Sequence, residues 1–448
     1  MDHANAAAAF RWNIRRRMSI LALALASALG VRDARSSALE ASGENPVEKV
    51  RATMQAVLAE APLSAVQLSQ LAAEVAALRS ATGSGAPVLS WQSEGIGGGF
   101  QRNLNAADYL RLSKPFNRPW HRDTIRELRD ASERWLESGQ QVTTLELASL
   151  AGRSWLDLAA AIAREELAAV RVARLDRALT IQQKRFELGE ISGSERRQIE
   201  LERARELATL DQLEASRLAV QRELEILAPG GFPSPAGQDL EALVEATTPI
   251  AGDSDSQTVL AGPALQFVAS KAEMAQLEAE RQRGAAWGLP EIEVEWERIP
   301  DLGVVEGFDS FGFYLAIPLP VGKQGHQRIA AAEQSAIAAA AEHDLMQQRL
   351  AARFQTAIET AKGAEAALAA LEPAIADASA IERSLSEQFR LGAISYLIYL
   401  DGFARLDTVI QGVIEARHAL LSARLELAVV SGAETYFPLP ELETGGGS

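Results

Sequence analysis

Side chains that could do chemistry are sparse in this 448-residue chain, and the most regular set is a row of carboxylates. Glu291, Glu293, Glu295 and Glu297 alternate with Ile292, Val294 and Trp296. On a β-strand, whose side chains alternate with period two, that spacing puts all four carboxylates on one face and the apolar residues on the other. The chemistry of such a row is electrostatic: it holds water and attracts cations, with no nucleophile beside it. The histidines His3, His121, His326, His343 and His418 lie far apart without ligand spacing, so no metal site is expected. The chain has no cysteine, which excludes disulfides, thiolate ligands and thiol catalysis. It has no P-loop, G-x-S-x-G or H-E-x-x-H. Gly95-Ile96-Gly97-Gly98-Gly99 precedes no helix that could cradle phosphate and reads as a loop at a strand end. No catalytic residue, no cofactor and no enzymatic activity are therefore expected, and a net charge of −16 argues against nucleic acid.

The elements that must position the glutamates follow from composition and punctuation. Arg11, Arg15, Arg16 and Arg17 precede an uncharged apolar run from Met18 to Leu29, the pattern of a secretory signal peptide. Residues 1–28 fit it, with cleavage at Ala26-Ser27-Ala28 or later at Ser36-Ser37-Ala38. Its removal takes four arginines and Asp2, a net +3, and moves the charge from −16 to about −19. The missing cysteine also excludes the acylated cysteine of a lipoprotein. No later stretch approaches 18 uncharged apolar residues, so entry into a membrane would need strands.

Two repeats are then expected. The first, 45–230, opens on short helices from Asn45-Pro46 that break near Pro62. A strand pair over 87–116 follows, then a long helix over 120–188, a Leu188-Gly189 turn and a helix over 194–227. Residues 231–262 read as a polar linker. The second repeat, 264–432, runs through a helix, a strand pair over 291–319, a long helix over 324–391 with a kink at Pro373, a Leu391-Gly392 turn and a helix over 394–430. Residues 433–448 are expected to be disordered. The duplication is visible in the letters: Phe186-Glu187-Leu188-Gly189-Glu190-Ile191-Ser192 matches Phe389-Arg390-Leu391-Gly392-Ala393-Ile394-Ser395 at Phe, Leu, Gly, Ile and Ser. A helix of 65 or so residues is about 100 Å long and needs a partner helix throughout. Leu350, Phe354, Ala357, Ala361, Ala364, Leu368 and Leu371 supply a heptad seam for one.

In the strands, Phe311, Phe313, Leu315 and Ile317 share a face as Ile292, Val294 and Trp296 do. Alternation of this kind suits a membrane barrel and a soluble sandwich equally. A secreted chain with four strands cannot close a bilayer-spanning sheet alone, since the smallest such barrels use about eight. A barrel shared by three chains has twelve strands and an open lumen, which favours a homotrimer. Glu291, Glu293, Glu295 and Glu297 then face the pore; in the blander alternative they are a solvated sheet face.

Gly312-Phe313-Tyr314-Leu315-Ala316-Ile317-Pro318-Leu319-Pro320 leading into an Ala-rich helix, the two glycine turns and the duplication together resemble the TolC-like outer-membrane efflux factors, over about residues 45–432. The resemblance implies a mainly α fold with a membrane β part. Long antiparallel coiled-coil helices form an α-barrel tunnel, and four strands per chain contribute to a twelve-stranded trimeric β-barrel. It further implies an outer-membrane location in contact with lipid, extending into the periplasm of a Gram-negative bacterium, with a periplasmic adaptor protein and an inner-membrane pump as partners. Acidic residues after the last turn constrict the tunnel entrance in that family. Asp401 stands at one such position; Ile398 replaces another, whose counterpart in the first repeat is Glu195. Leu188, Gly189, Leu391 and Gly392 would be the tips that dock the adaptor. The cargo implied is small molecules or metal cations. Alternatives are the outer-membrane duct of a type I protein or peptide secretion system, and a soluble periplasmic coiled-coil scaffold without a barrel.

Overall fold

A computed structural model describes residues 45–60, 62–82, 86–94, 107–116, 122–247, 262–285, 290–299, 307–317, 323–433 and 435–440. The signal peptide expected at 1–28 lies outside the described residues. Nine helices and four strands follow in order among them: α1 (Pro46–Glu60), α2 (Pro62–Thr82), β1 (Val88–Glu94), β2 (Ala107–Pro115), α3 (Arg122–Glu187), α4 (Gly193–Leu227), α5 (Asp239–Ala246), α6 (Pro263–Ala285), β3 (Glu291–Ile299), β4 (Phe308–Ala316), α7 (Lys323–Ala376), α8 (Ala378–Arg390) and α9 (Tyr396–Ser431). The chain is mostly helical, with one antiparallel sheet in the order β1-β2-β3-β4.

Helix boundaries follow local chemistry. Helix α3 runs for 66 residues without a proline or a helix-ending glycine. Both hairpin turns are Schellman closures. Gly189 and Gly392 adopt φ of 75° and 78°, a conformation costly for any residue with a Cβ. Glu190 N–H reaches back to the Arg185 carbonyl at 2.9 Å, and Ala393 N–H to the Gln388 carbonyl at 2.8 Å. After each turn a serine caps the next helix: Ser192 Oγ accepts from the Glu195 amide and Ser395 Oγ from the Ile398 amide.

Three segments differ from the sequence reading. The stretch expected as a single helix over 324–391 is two, α7 and α8, separated at Asp377. Pro373, which cannot donate a backbone hydrogen bond, lies one turn before the break. The linker expected over 231–262 contains α5, an amphipathic helix that buries Leu240 and Leu243. Of the tail expected to be disordered over 433–448, residues 435–440 return to the core, where Phe437 and Leu439 are both 1% exposed, and residues 441–448 lie outside the described residues.

By contact density the chain divides into two units. One gathers Met1–Ser64, Thr144–Asp255 and Phe354–Ser448; the other gathers Ala65–Thr143 and Ser256–Arg353, including the sheet. The core of the first is built on Met54, Trp155, Leu240, Leu243, Leu421, Leu425 and Phe437. Gly152 lets Met54 approach α3 so closely that a Cβ there would lie 2.4 Å from its terminal methyl. Trp155 Nε1 donates to the Pro233 carbonyl at 3.1 Å. Helix α5 is tied down by charge. Lys49 Nζ lies 3.0 Å from Asp239, and Arg424 donates to the Val244 and Thr247 carbonyls while pairing with Glu365 at 2.9 Å. In the second unit Trp135 stacks on Phe267 at 5.7 Å between ring centres, over Gly139.

Phe437→Ala is expected to cost about 3–5 kcal/mol, as for other buried aromatic truncations. Denaturant unfolding measures it, and truncation after Gly432 should lower the midpoint at least as far. An unchanged midpoint in both would detach the tail from the core.

Candidate functional site

The sheet has two chemically distinct faces. The register pairs Arg111 of β2 with Glu295 of β3, and Glu295 with Gly312 of β4. One face therefore carries Tyr109, Arg111, Ser113, Glu291, Glu293, Glu295, Glu297, Ser310 and Tyr314. The other carries Leu89, Trp91, Leu110, Leu112, Ile292, Val294, Trp296, Phe311, Phe313 and Leu315.

Burial on these faces is inverted relative to a water-soluble sheet. Glu295 is 7% exposed, whereas Phe311 is 79%, Trp91 71% and Phe313 70% exposed. Leu89, Leu112, Val294 and Leu315 are likewise exposed, which makes a continuous apolar surface across all four strands. The apolar character stops at both ends of that face, at Asp108, Arg298 and Asp309, which share a rung, and at the exposed Lys114, which stands opposite Ile292.

The four predicted lumen glutamates share the polar face. Glu295 is held from both sides, by an ion pair with Arg111 and by the Tyr314 hydroxyl donating at 3.4 Å. Arg111 Nε also lies 3.1 Å from Glu293. Ser310 Oγ donates to Glu297 at 2.9 Å. Arg111 was not singled out from the sequence; its place between Leu110 and Leu112 marked it as facing away from them, but nothing local identified its partner strand.

The second group of candidate residues lies at the hairpin tips. Leu188 and Leu391 are 74% and 66% exposed, and Leu397 and Ile398 are exposed as well. Below one tip, Phe389 is buried against Tyr399 at 4.3 Å and Tyr396 at 6.3 Å, and Tyr399 meets Phe403 edge-on at 4.8 Å. Burial pushes the Tyr396 and Tyr399 phenols above the ordinary tyrosine range, so both stay neutral. Arg185 of α3 donates to the Phe389 carbonyl at 2.7 Å and reaches the Arg390 carbonyl at 3.4 Å, covering the C-terminus of α8. Its guanidinium is also the nearest group to Gly392.

Glu195 and Asp401, the predicted gate pair, have different surroundings. The Glu195 carboxylate accepts from the Ser192 amide at 3.1 Å and completes a capping box for α4. Asp401 is exposed and pairs with Arg405 one turn along at 2.9 Å. It borders an open cleft of about 430 Å3 together with Arg171, Arg174, Arg205, Tyr399 and Asp407. Asp407 is the residue the sequence reading missed. It is buried, and both its carboxylate oxygens accept from Arg174 Nη1, at 3.1 and 3.0 Å. Arg171 Nε approaches at 3.2 Å, within ion-pair distance though not aligned as a hydrogen bond. The Arg174 guanidinium lies 3.8 Å from the Phe403 ring centre. Spacing on α9, with Tyr396, Tyr399, Phe403 and Asp407 on successive turns, was the one local signal.

Among the described residues, no group of three or more His, Asp or Glu side chains could hold a metal ion. No described helix is long and apolar enough to cross a membrane, which says nothing of a β-barrel.

This fold is that of the TolC-family outer-membrane channels. Three solved structures carry the comparison. The CusC channel superposes with a TM-score of 0.69 at 14% identity, over 86% of this chain and 92% of that one. The CmeC outer membrane channel of Campylobacter jejuni gives 0.65 at 13%, over 89% and 87%. The outer membrane protein VceC of Vibrio cholerae gives 0.64 at 14%, over 86% and 96%. No protein-family model and no curated protein matches the sequence.

Asp407→Ala leaves the buried Arg174 guanidinium with the more distant and more exposed Glu382, at 3.8 Å, a loss of up to about 3–5 kcal/mol for a broken buried pair. Reduced hydrogen-exchange protection over residues 396–410 is the expected readout. The double replacement Arg174→Leu with Asp407→Leu should restore most of it. Protection unchanged in Asp407→Ala would remove this pair from the forces holding α9.

Proposed function

We propose that this chain is a subunit of an outer-membrane channel that extends into the periplasm and serves as a passive exit duct for small molecules or metal cations in a tripartite efflux system. The observation that carries the reading is the inverted burial of the sheet, with Glu295 buried and its neighbouring glutamates half-buried on one face, and aromatic and aliphatic side chains exposed on the other. Exposing Phe311, Phe313 and Trp91 to water would forfeit about 1.5–3 kcal/mol each relative to burial, so the face needs a hydrocarbon solvent. Edges at β1 and β4 need closure, since open edges are not stable in a bilayer.

Three chains supply that closure with twelve strands. Each repeat, 45–230 and 264–432, contributes one strand pair and one helical hairpin, and the hairpins line a periplasmic tunnel. Leu188, Gly189, Leu391 and Gly392 are the tips that meet an adaptor protein, with an inner-membrane pump as the source of energy. The chain itself has no catalytic role. Asp401 and Glu195 guard the entrance, and opening is a shift between two packings of the hairpins. The exposure of Asp401 beside a cleft favours it as the residue that passing cations meet; Glu195 is committed in part to its cap.

Planar-bilayer recording of the detergent-purified protein, with its oligomer mass, tests this reading. Discrete conductance steps from a trimer are expected; a water-soluble protein without conductance would overturn it. Asp401→Ala should raise single-channel conductance or weaken block by multivalent cations. A variant that conducts and is blocked as the parent does removes Asp401 from the gate.

A further inference from the structure

Arg111 is the one cation on the polar face of the sheet among the described residues, against Glu291, Glu293, Glu295 and Glu297. Its position is built with some care. Glu295 stands opposite it across the β2–β3 ladder, and Arg111 Nε lies within ion-pair distance of both Glu295 and Glu293. From the other side, Tyr314 folds its ring over Gly312, where an added Cβ would come within 2.7 Å of the ring, and sends its hydroxyl to Glu295. Gly312 is thus the residue that lets Tyr314 reach the carboxylate. The Tyr109 ring lies 5.9 Å from the Arg111 guanidinium on the same face.

We infer that Arg111 sets the charge selectivity of the barrel, an inference that rests on the channel reading above. Two carboxylates and one guanidinium leave this level of the sheet with a single net negative charge per chain. Without Arg111 the same level carries two, repeated three times around a lumen. Charges on a low-dielectric wall focus the field in the water between them, so the ratio of cation to anion passage follows that count. The row of four glutamates alone overstates the cation preference; the arginine trims it and holds Glu293 and Glu295 at fixed positions.

The test is the reversal potential of single channels in a KCl gradient, read in an Asp401→Ala background so that the entrance does not set the ratio. Arg111→Gln should raise the potassium-to-chloride permeability ratio by roughly two- to five-fold. Glu295→Gln and Glu293→Gln should lower it, and Arg111→Lys, which keeps the charge, should retain the parent ratio. Glu293 is the more exposed of the two carboxylates, so Glu293→Gln reads the charge count even if Arg111→Gln fails to assemble. Conducting trimers of these variants with the parent ratio would overturn the assignment while leaving the channel intact. Absence of conductance in the parent protein would instead sink the channel reading, and the inference with it.

Discussion

Backbone hydrogen bonds between β2 and β3 join strands taken from the two repeats, and the rest of the sheet is organised by that pairing. Each repeat alone has a single two-stranded ribbon, which is marginal in water. The ladder from Asp108 opposite Arg298 to Pro115 opposite Glu291 merges the two ribbons into four strands. Its register decides which residues meet on each face, because a slip of one residue would carry every glutamate to the apolar side. The polar cluster and the aromatic surface are therefore consequences of one alignment.

The same division of labour recurs among the helices. In the sheet an arginine of the first repeat, Arg111, meets a carboxylate of the second, Glu295; along the helices Arg174 meets Asp407 and Arg164 meets Glu415. Arg153 with Glu426 follows the same rule. Duplicated segments of equal sequence could pair with themselves as readily as with each other. Placing most of the cations in one repeat and the anions in the other penalises like with like and favours contact between unlike repeats. The traffic is reversed at Arg417 and Glu241, where the acid belongs to the segment between the repeats, and at His418 and Asp157, where a histidine of the second repeat meets an acid of the first.

What could be read from the letters was local and periodic. Period-two alternation at 291–297 marks a two-faced strand, and a Phe-x-Leu-Gly ending marks a helix stop, because each depends on residues a few positions apart. Asp407 and Arg111 were opaque for the opposite reason: their partners lie 233 and 184 residues away, and nothing near either residue specifies a register over that distance. Leu240, Leu243, Phe437 and Leu439 sit in stretches whose prolines, glycines and acids outvote them in any composition-based reading. A few large apolar side chains are enough to anchor such stretches once a core is present to receive them.

The two tips share a turn but not an interior. Phe389 is enclosed by tyrosines and covered by Arg185, whereas its counterpart Phe186 is exposed and has Arg196 across its ring at 5.1 Å. Enclosed aromatic packing makes a stiff joint, and a ring resting under a single surface cation makes a compliant one. Load placed equally on the two turns is therefore shared unequally: the turn at Gly189 yields first, and the turn at Gly392 carries its helices along as one piece.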